Sequence, residues 1–354
     1  MLLFHNDYNE ICHPKILERI QNSMNLQMAG YGEDECCATA ASMIRNLCKN
    51  DAAAVHFLVG GTQTNLTVID AALRPHQAAL CAFSGHINVH ETGAVEATGH
   101  KVLTLPSEDG KITAEQIRRT VENHRNDASR EHTAQPKLVY ISSPSELGTI
   151  YKLAELESIS AVCKEYGLYL FLDGARLGYG LSASDNDVTM EDLARLCDVF
   201  YIGGTKVGAM FGEAVVITNP LLNDDFRYLI KQHGAMLAKG WLLGLQFDAL
   251  FEDNLYFEIS KHAIVLADKI RRTIDGLGYS YLVAGTTNQV FPILPDTLLA
   301  ELEKNFTFCE QERVDAENRA VRFCTSWATK EESVDALCEE LVKLSKKLDS
   351  SYFV

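Results

Sequence analysis

Two residues at the ends of successive strand candidates carry the chemistry that stands out first. Residues 168–172 form a short apolar run that ends at Asp173-Gly174-Ala175-Arg176. An acid just past a buried strand stands where open α/β sheets bind ligands, at the carboxyl ends of their strands. A plainer alternative is an Asp that caps the following helix. The next run, residues 199–203, leads into Gly204-Thr205-Lys206. Burial at a sheet mouth and a nearby cation would lower the pKa of that amine, as Schiff-base chemistry requires. A solvated loop lysine is the alternative.

Upstream, Val59-Gly60-Gly61-Thr62-Gln63-Thr64-Asn65 lies between a strand candidate and a helix candidate. Small residues and hydroxyls at a helix N-terminus can bind a phosphate through backbone N–H groups and the helix dipole. The stretch matches neither the P-loop nor the dinucleotide glycine spacing, and a simple strand-to-helix turn also explains it. Phosphate turn, acid and lysine follow one another at strand ends, and this joint order is more specific than any one member. Pyridoxal phosphate uses all three: an anchor for its phosphate, an acid that keeps its ring nitrogen protonated, and an amine for its carbonyl.

His86, in Gly85-His86-Ile87-Asn88-Val89-His90-Glu91, follows another strand candidate and could stack on the ring of such a coenzyme. Metal binding is the competing reading, since His86 and His90 are one helical turn apart with Glu91 beside them, but no third ligand at suitable spacing is visible and no metal is expected. A structural histidine is the third reading. Arg322 sits on a late strand candidate, from where a guanidinium could grip a substrate carboxylate; Arg319 competes for the role, and a surface arginine is the alternative.

These groups need a scaffold that brings strand ends together. From about residue 52, short apolar runs alternate with amphipathic segments, the pattern of βα units around a mostly parallel sheet. Strands are expected at 53–59, 78–83, 101–105, 137–142, 168–172, 199–203 and 214–218, and helices at 66–73, 114–124, 153–165 and 190–195. A long helical stretch over 221–274 is expected to bridge two lobes, with Gly276 and Gly278 breaking it. Beyond it, strands near 279–283, 289–294 and 320–325 and helices near 298–304 and 333–348 read as a small α+β domain. The expected division is a large coenzyme-binding domain over residues 1–250, N-terminal segment included, and a small C-terminal domain over 251–354.

The chain's 354 residues suit two such lobes, and its ordinary apolar content suits folding throughout. A formal net charge of −16 repels phosphate backbones and anionic lipid heads, so neither nucleic acid nor membrane is an expected partner. The ten cysteines are scattered rather than spaced as a framework, as in reduced cytosolic proteins. Residues 1–7 show neither the basic start nor the apolar stretch of a signal peptide, so a cytoplasmic location is expected.

Taken together, these residues resemble the low-specificity threonine aldolases of the β-eliminating lyase group, pyridoxal-phosphate enzymes of fold type I. His5-Asn6-Asp7 and Tyr31-Gly32-Glu33-Asp34 resemble the family's N-terminal motifs, Gly61-Thr62-Gln63-Thr64-Asn65-Leu66 its phosphate turn, His86 its ring-stacking histidine and Asp173-Gly174-Ala175-Arg176 its acid motif. The resemblance implies an α/β fold of the fold-type I transferase kind and cleavage of a β-hydroxy-α-amino acid to glycine and an aldehyde. A β-eliminating lyase or aminotransferase acting on a small amino acid is the alternative. It implies Lys206, His86 and Asp173 as catalytic residues. Gly61, Thr62, Gln63, His86, Asp173, Arg176, Lys206 and Lys239 would hold the coenzyme, and Asn6, Tyr31, Arg176 and Arg322 the substrate. It further implies a homodimer or homotetramer with shared active sites, Lys239 reaching a neighbour's phosphate. One departure stands out: where the family often has Thr-His-Asn-Gly, this chain reads Pro144-Ser145-Glu146-Leu147-Gly148-Thr149, with Glu146 in the histidine's place.

Overall fold

The structure, a computed structural model, describes residues 1–351. Its strands in chain order are β1 (Leu2–Leu3), β2 (Ala54–Leu58), β3 (Gln77–Ala82), β4 (Lys101–Leu105), β5 (Gln135–Ser142), β6 (Tyr169–Asp173), β7 (Val199–Gly203), β8 (Glu213–Ile217), β9 (Gln289–Val290), β10 (Ile293–Pro295), β11 (Phe306–Thr307), β12 (Cys309–Arg313) and β13 (Asn318–Cys324). Seven of them form the central sheet, in the order β2-β8-β7-β6-β5-β3-β4. All its neighbours run parallel except at β8, which is antiparallel to both β7 and β2. The reason is chain length: the short loop from Gly203 to Glu213 cannot make the crossover that a parallel strand needs. That loop carries Lys206. The carboxyl ends of β2, β3, β5, β6 and β7 therefore all open on one edge, with Leu58 and Gly203 both opposite Glu213, and Ser142 opposite Asp173.

Strand alternation sorts the central side chains onto two faces. Val139, Ile141, Leu170, Leu172, Phe200 and Ile202 pack on one side against helices Glu35–Cys48, Ala114–Asn126, Leu153–Tyr166 and Trp241–Phe251. Leu138, Tyr140, Phe171, Val199 and Tyr201 point to the other side, toward helices Gly61–Ala72 and Phe226–Gln232. Asp173 lies two residues past Phe171 and so shares the side of Tyr140, Tyr201 and helix Gly61–Ala72. The turn after it presses onto β7. A Cβ on Gly174 would lie 1.9 Å from the Tyr201 carbonyl oxygen, and one on Gly203 would lie 2.2 Å from that of Ala175. Glycine is the only residue this crossing accepts.

Strands β9, β10, β12 and β13 make a small antiparallel sheet, β10-β13-β12 with β9 also on β13, packed on helices Asp296–Leu302 and Glu331–Ser351. Helix Leu255–Gly276 serves both bodies. Its Ala263 and Ile264 join the core of the large sheet, and its Leu266, Ala267, Ile270 and Ile274 join the core of the small one. The N-terminus joins the small sheet's core: β1 pairs with β11, Phe4 is buried there, and the Cys324 N–H donates to the Phe4 carbonyl.

All seven strands expected in the central sheet are present to within about two residues. Several other expectations need correction. Helix 66–73 begins at Gly61, because the glycine-rich turn is its first turn. The stretch 221–274 is three helices, broken at Gly234 with φ +76° and at Asp253 and Asn254, which are both left-handed. No strand forms at 279–283, where Tyr281 makes a single bridge to Pro292. Pro292, which has no N–H to offer a ladder, separates β9 from β10 where one strand is expected. Helices Pro14–Ser23 and Glu35–Cys48 lie in a part of the sequence where no element is expected. Among the described residues no helix is long and apolar enough to cross a membrane.

Candidate active site

The centre of the site is the carboxylate of Asp173, almost wholly buried. It accepts four hydrogen bonds, two on each oxygen. Tyr201 Oη (2.5 Å) and the Ala175 N–H (2.9 Å) donate to Oδ1. Tyr140 Oη (2.5 Å) and Asn65 Nδ2 (3.0 Å) donate to Oδ2. Burial pushes the carboxyl up, but His86, the two phenols and the Ala175 N–H outweigh it and hold it below the ordinary aspartate value. Burial and the charge of Asp173 push both phenols up, so they remain donors. The result is a fixed negative charge inside the protein.

Lys206 follows the end of β7, half-buried. No hydrogen bond or ion pair engages its Nζ among the described residues. Burial and then the charge of Arg176 press the amine below the ordinary lysine value, against the pull of Asp7, Asp173 and Glu213. A neutral amine is a nucleophile, so this environment suits carbonyl capture.

At the end of β2, helix Gly61–Ala72 starts without a side-chain cap on Gly60. The N–H groups of Gly61, Thr62 and Gln63 precede the first intrahelical bond, which runs from Thr64 to Gly60. A Cβ on Gly61 would lie 3.1 Å from the Tyr201 hydroxyl, so the turn sits against the same phenol that holds Asp173. The Gln63 side chain is already committed, accepting from the Val59 N–H and donating to the His233 carbonyl. It therefore offers an anion its backbone rather than its amide.

His86 opens a single helical turn after β3. Its Nδ1 lies 2.7 Å from Glu91 Oε1, and its backbone N–H donates to Glu146 Oε1 at 3.1 Å. Glu146, at the histidine position of the resembling motif, also accepts from Ser142 Oγ at 2.7 Å, and burial raises its pKa.

The N-terminal segment lies between two arginines. Asp7, fully buried, takes Arg176 Nε at 2.6 Å and Nη2 at 3.1 Å, and it also accepts from Asn288. Burial raises the Asp7 carboxyl, but Arg176, Lys206 and Asn288 outweigh it and the net direction is down. Arg322 Nη2 donates to the His5 carbonyl at 3.1 Å, while its Nε is buried without a partner. Asn6 stands between, its Oδ1 accepting from the Tyr8 N–H. Arg319 is spent on ion pairs with Asp296 and Glu310 and lies with them.

Thus Lys206, Asp173, His86, the Gly61-Thr62-Gln63 turn and Arg176 lie at the strand-end edge, Asn6 lies on the N-terminal segment, and Arg322 reaches that segment from β13. Tyr31 and Lys239 do not join them. The Tyr31 N–H donates to the Ala238 carbonyl, its carbonyl accepts from Arg227, and it lines a cavity of about 580 Å³ with Glu33, Arg45 and Met236. Lys239 is exposed next to it.

Sequence reasoning gave no role to Tyr140, Tyr201, Asn65, Asp7 or Glu213. The two tyrosines had a signal, a hydroxyl-bearing residue on each apolar strand flanking the acid. Glu213 is buried at the start of β8, where Oε2 accepts the Gly204 N–H at 3.1 Å, directly beneath the lysine loop. Its signal was a lone acid opening an apolar strand.

The β-eliminating lyase family profile matches residues 13–291. The chain is 30% identical over 346 residues to a low-specificity L-threonine aldolase of a Pseudomonas species, covering 95% of each protein. A solved threonine aldolase structure from Leishmania major is 48% identical, with a TM-score of 0.95 over 98% of this chain and 100% of that one. Aspartate aminotransferase from Thermus thermophilus shares the fold, at 16% identity with a TM-score of 0.72 over 97% of this chain and 91% of that one.

Burial lifts the Glu213 carboxyl to about 8, against the opposing pull of Thr205 and Lys206, whereas an ordinary glutamate lies near 4.5. Between those values the folded chain holds a proton that the unfolded chain has lost, so stability falls as pH rises across that window. Glu213→Gln removes that slope. Its stability advantage over the parent, read from denaturant midpoints, is expected to grow by roughly 1–3 kcal/mol from about pH 5 to about pH 8. Parallel pH profiles for the two proteins would show that Glu213 is ionised in the fold.

Proposed function

The chain belongs to the β-eliminating lyase family, and on that premise we propose that it is a pyridoxal-phosphate-dependent aldolase of the threonine aldolase kind, cleaving β-hydroxy-α-amino acids such as threonine to glycine and an aldehyde. The observation that carries the reading is an unpaired, half-buried lysine amine close to a buried carboxylate that four donors keep ionised. The residues fit the coenzyme. An uncapped glycine turn suits its phosphate, Asp173 its ring nitrogen, and Lys206 its carbonyl carbon. A protonated ring nitrogen is a charged donor, stronger than the neutral donors with which it shares the carboxylate.

When bound, pyridoxal phosphate supplies a carbonyl that captures amines and a cationic ring that draws electrons from the bonds of the captured amino acid. The protein's share is placement and proton control. Asp173 holds the ring-nitrogen proton, and the backbone of Gly61, Thr62 and Gln63 fixes the phosphate. Arg322, Arg176 and Asn6 would hold the substrate carboxylate and so set which bond at Cα is presented for cleavage. Asp7 keeps Arg176 oriented.

Bond cleavage between Cα and Cβ requires loss of the β-hydroxyl proton. His86 is the better base than Glu146. Its Nδ1 is engaged by Glu91 and Nε2 is left for the substrate, whereas burial favours a proton on the Glu146 carboxyl. The Lys206 amine, its pKa lowered by burial, would move the proton that completes glycine.

Tyr31, whose N–H donates to the Ala238 carbonyl, and the adjacent Lys239 are exposed and lie apart from their own chain's cluster. We take them as contributions to the site of a second copy in a homodimer or homotetramer, with no nucleic acid or membrane involved.

Incubation of the loaded enzyme with threonine, allo-threonine or phenylserine is expected to give glycine and aldehyde in equal amounts. A keto acid with ammonia would mean elimination instead. Lys206→Ala is expected to lower turnover by about a thousandfold or more. In co-expressed Lys206→Ala and Lys239→Ala chains, shared sites would restore about a quarter of parental activity, because half of random dimers carry one intact site. No recovery would place Lys239 outside any shared site.

A further inference from the structure

Beside the acid and the histidine runs a chain of buried polar groups, of which the aldolase reading uses the Glu91–His86 contact and leaves Asn65 without a role. Asn65, fully buried on the second turn of helix Gly61–Ala72, divides its Nδ2 amino group between two carboxylates: Glu91 Oε1 at 2.7 Å and Asp173 Oδ2 at 3.0 Å. Glu91 Oε1 also meets His86 Nδ1 at 2.7 Å. His86, Glu91, Asn65 and Asp173 thus form one connected path, which the phenols of Tyr140 and Tyr201 continue on the far side of Asp173.

Fold stability does not account for this arrangement. Asn65 Oδ1 and Glu91 Oε2 are both buried without a partner. Orphaned acceptors cost stability, and apolar residues of the same shape would fill the space more cheaply. What the arrangement achieves is geometric. A carboxylate accepts only, so Glu91 compels His86 to donate from Nδ1. The amide then ties that carboxylate to the acid on β6.

We propose that Glu91 and Asn65 are positioning residues of the site. Glu91 holds the His86 imidazole in the Nδ1–H tautomer with Nε2 free, and Asn65 locks Glu91 and Asp173 at a fixed separation. The histidine on one side of the ligand and the acid at its ring nitrogen are then set as a single unit. The groups facing His86 are consistent with the assignment. His90 lies at 5.4 Å between ring centroids, tilted by 54°, on the same short segment, and Glu146, from the loop after β5, holds only the backbone N–H of His86. Among the described residues Glu91 alone binds the ring.

This rests on the site reading above but can be tested apart from the substrate. In full-length chain labelled with ¹⁵N-histidine, with and without pyridoxal phosphate, the His86 signal, identified by its loss in His86→Gln, is expected to show Nδ1 protonated and Nε2 bare whenever the ring is neutral. Glu91→Gln is expected to redistribute the tautomers, alter the visible circular dichroism of the bound coenzyme, and lower kcat about 10- to 100-fold with a smaller change in KM. Asn65→Ala is expected to change the same dichroic band while leaving the Nδ1–H tautomer in place. An Nε2–H tautomer in the parent protein overturns the proposal, and this measurement needs no variant to fold. So does a Glu91→Gln protein with unchanged tautomer and dichroism. Failure to cleave threonine with the tautomer as stated would instead count against the substrate assignment alone.

Discussion

The structure depends on keeping one carboxylate charged where burial alone would neutralise it. Asp173 stays ionised because four donors and the nearby His86 replace the water it lost on folding. Each donor comes from a different element: helix Gly61–Ala72, β5, β7 and the turn after β6. The order of the central sheet is therefore also the order of the ligands around one acid. Parallel strands put their carboxyl ends on one edge, alternation puts two tyrosines on the side of the acid, and two glycines let the turn after β6 close against β7.

The positive side of the site is organised by the same rule, that a buried charge needs a partner. Arg176 is held by Asp7, and Asp7 belongs to an N-terminal segment fastened to the C-terminal body, through β1 on β11, Phe4 in its core and the His5 carbonyl on Arg322. The arginines offered to a substrate carboxylate thus come from both bodies, Arg176 from the large sheet and Arg322 from the small one. Helix Leu255–Gly276, with one end in each core, fixes their separation. Lys206 differs in that its amine is left unpaired beside an arginine, which destabilises an ammonium and prepares a nucleophile.

Much of this was legible in the sequence because it rests on local pattern. Seven apolar runs marked the central strands, and Asp173, Lys206 and the Gly60-Gly61 turn each stood at the end of one. Less visible was whatever depends on residues meeting across the fold. Asp7 lay inside a recognised motif without a role, since its partner Arg176 is far away in sequence. Asn65 stood inside the phosphate turn and Glu91 beside two histidines, and their bond to each other and to Asp173 joins residues 26 and 108 positions apart. Tyr31 was expected at the substrate and Lys239 at a neighbouring copy's phosphate, and within a single chain both lie apart from the cluster. Strands β9, β10 and β11 are two or three residues long, with Pro292 between the first two, so their periodicity gave weak guidance, whereas the seven-residue β13 lies where a strand is expected at 320–325.

The central claim is that Asp173 is an ionised acceptor that holds a proton on the ring nitrogen of the coenzyme. Loading the protein with pyridoxal phosphate carrying ¹⁵N in the ring and recording its chemical shift near neutral pH tests this directly. The account predicts a protonated ring nitrogen in the parent protein and an unprotonated one in Asp173→Asn. An unprotonated nitrogen in the parent, or a protonated one that persists after the substitution, would contradict it.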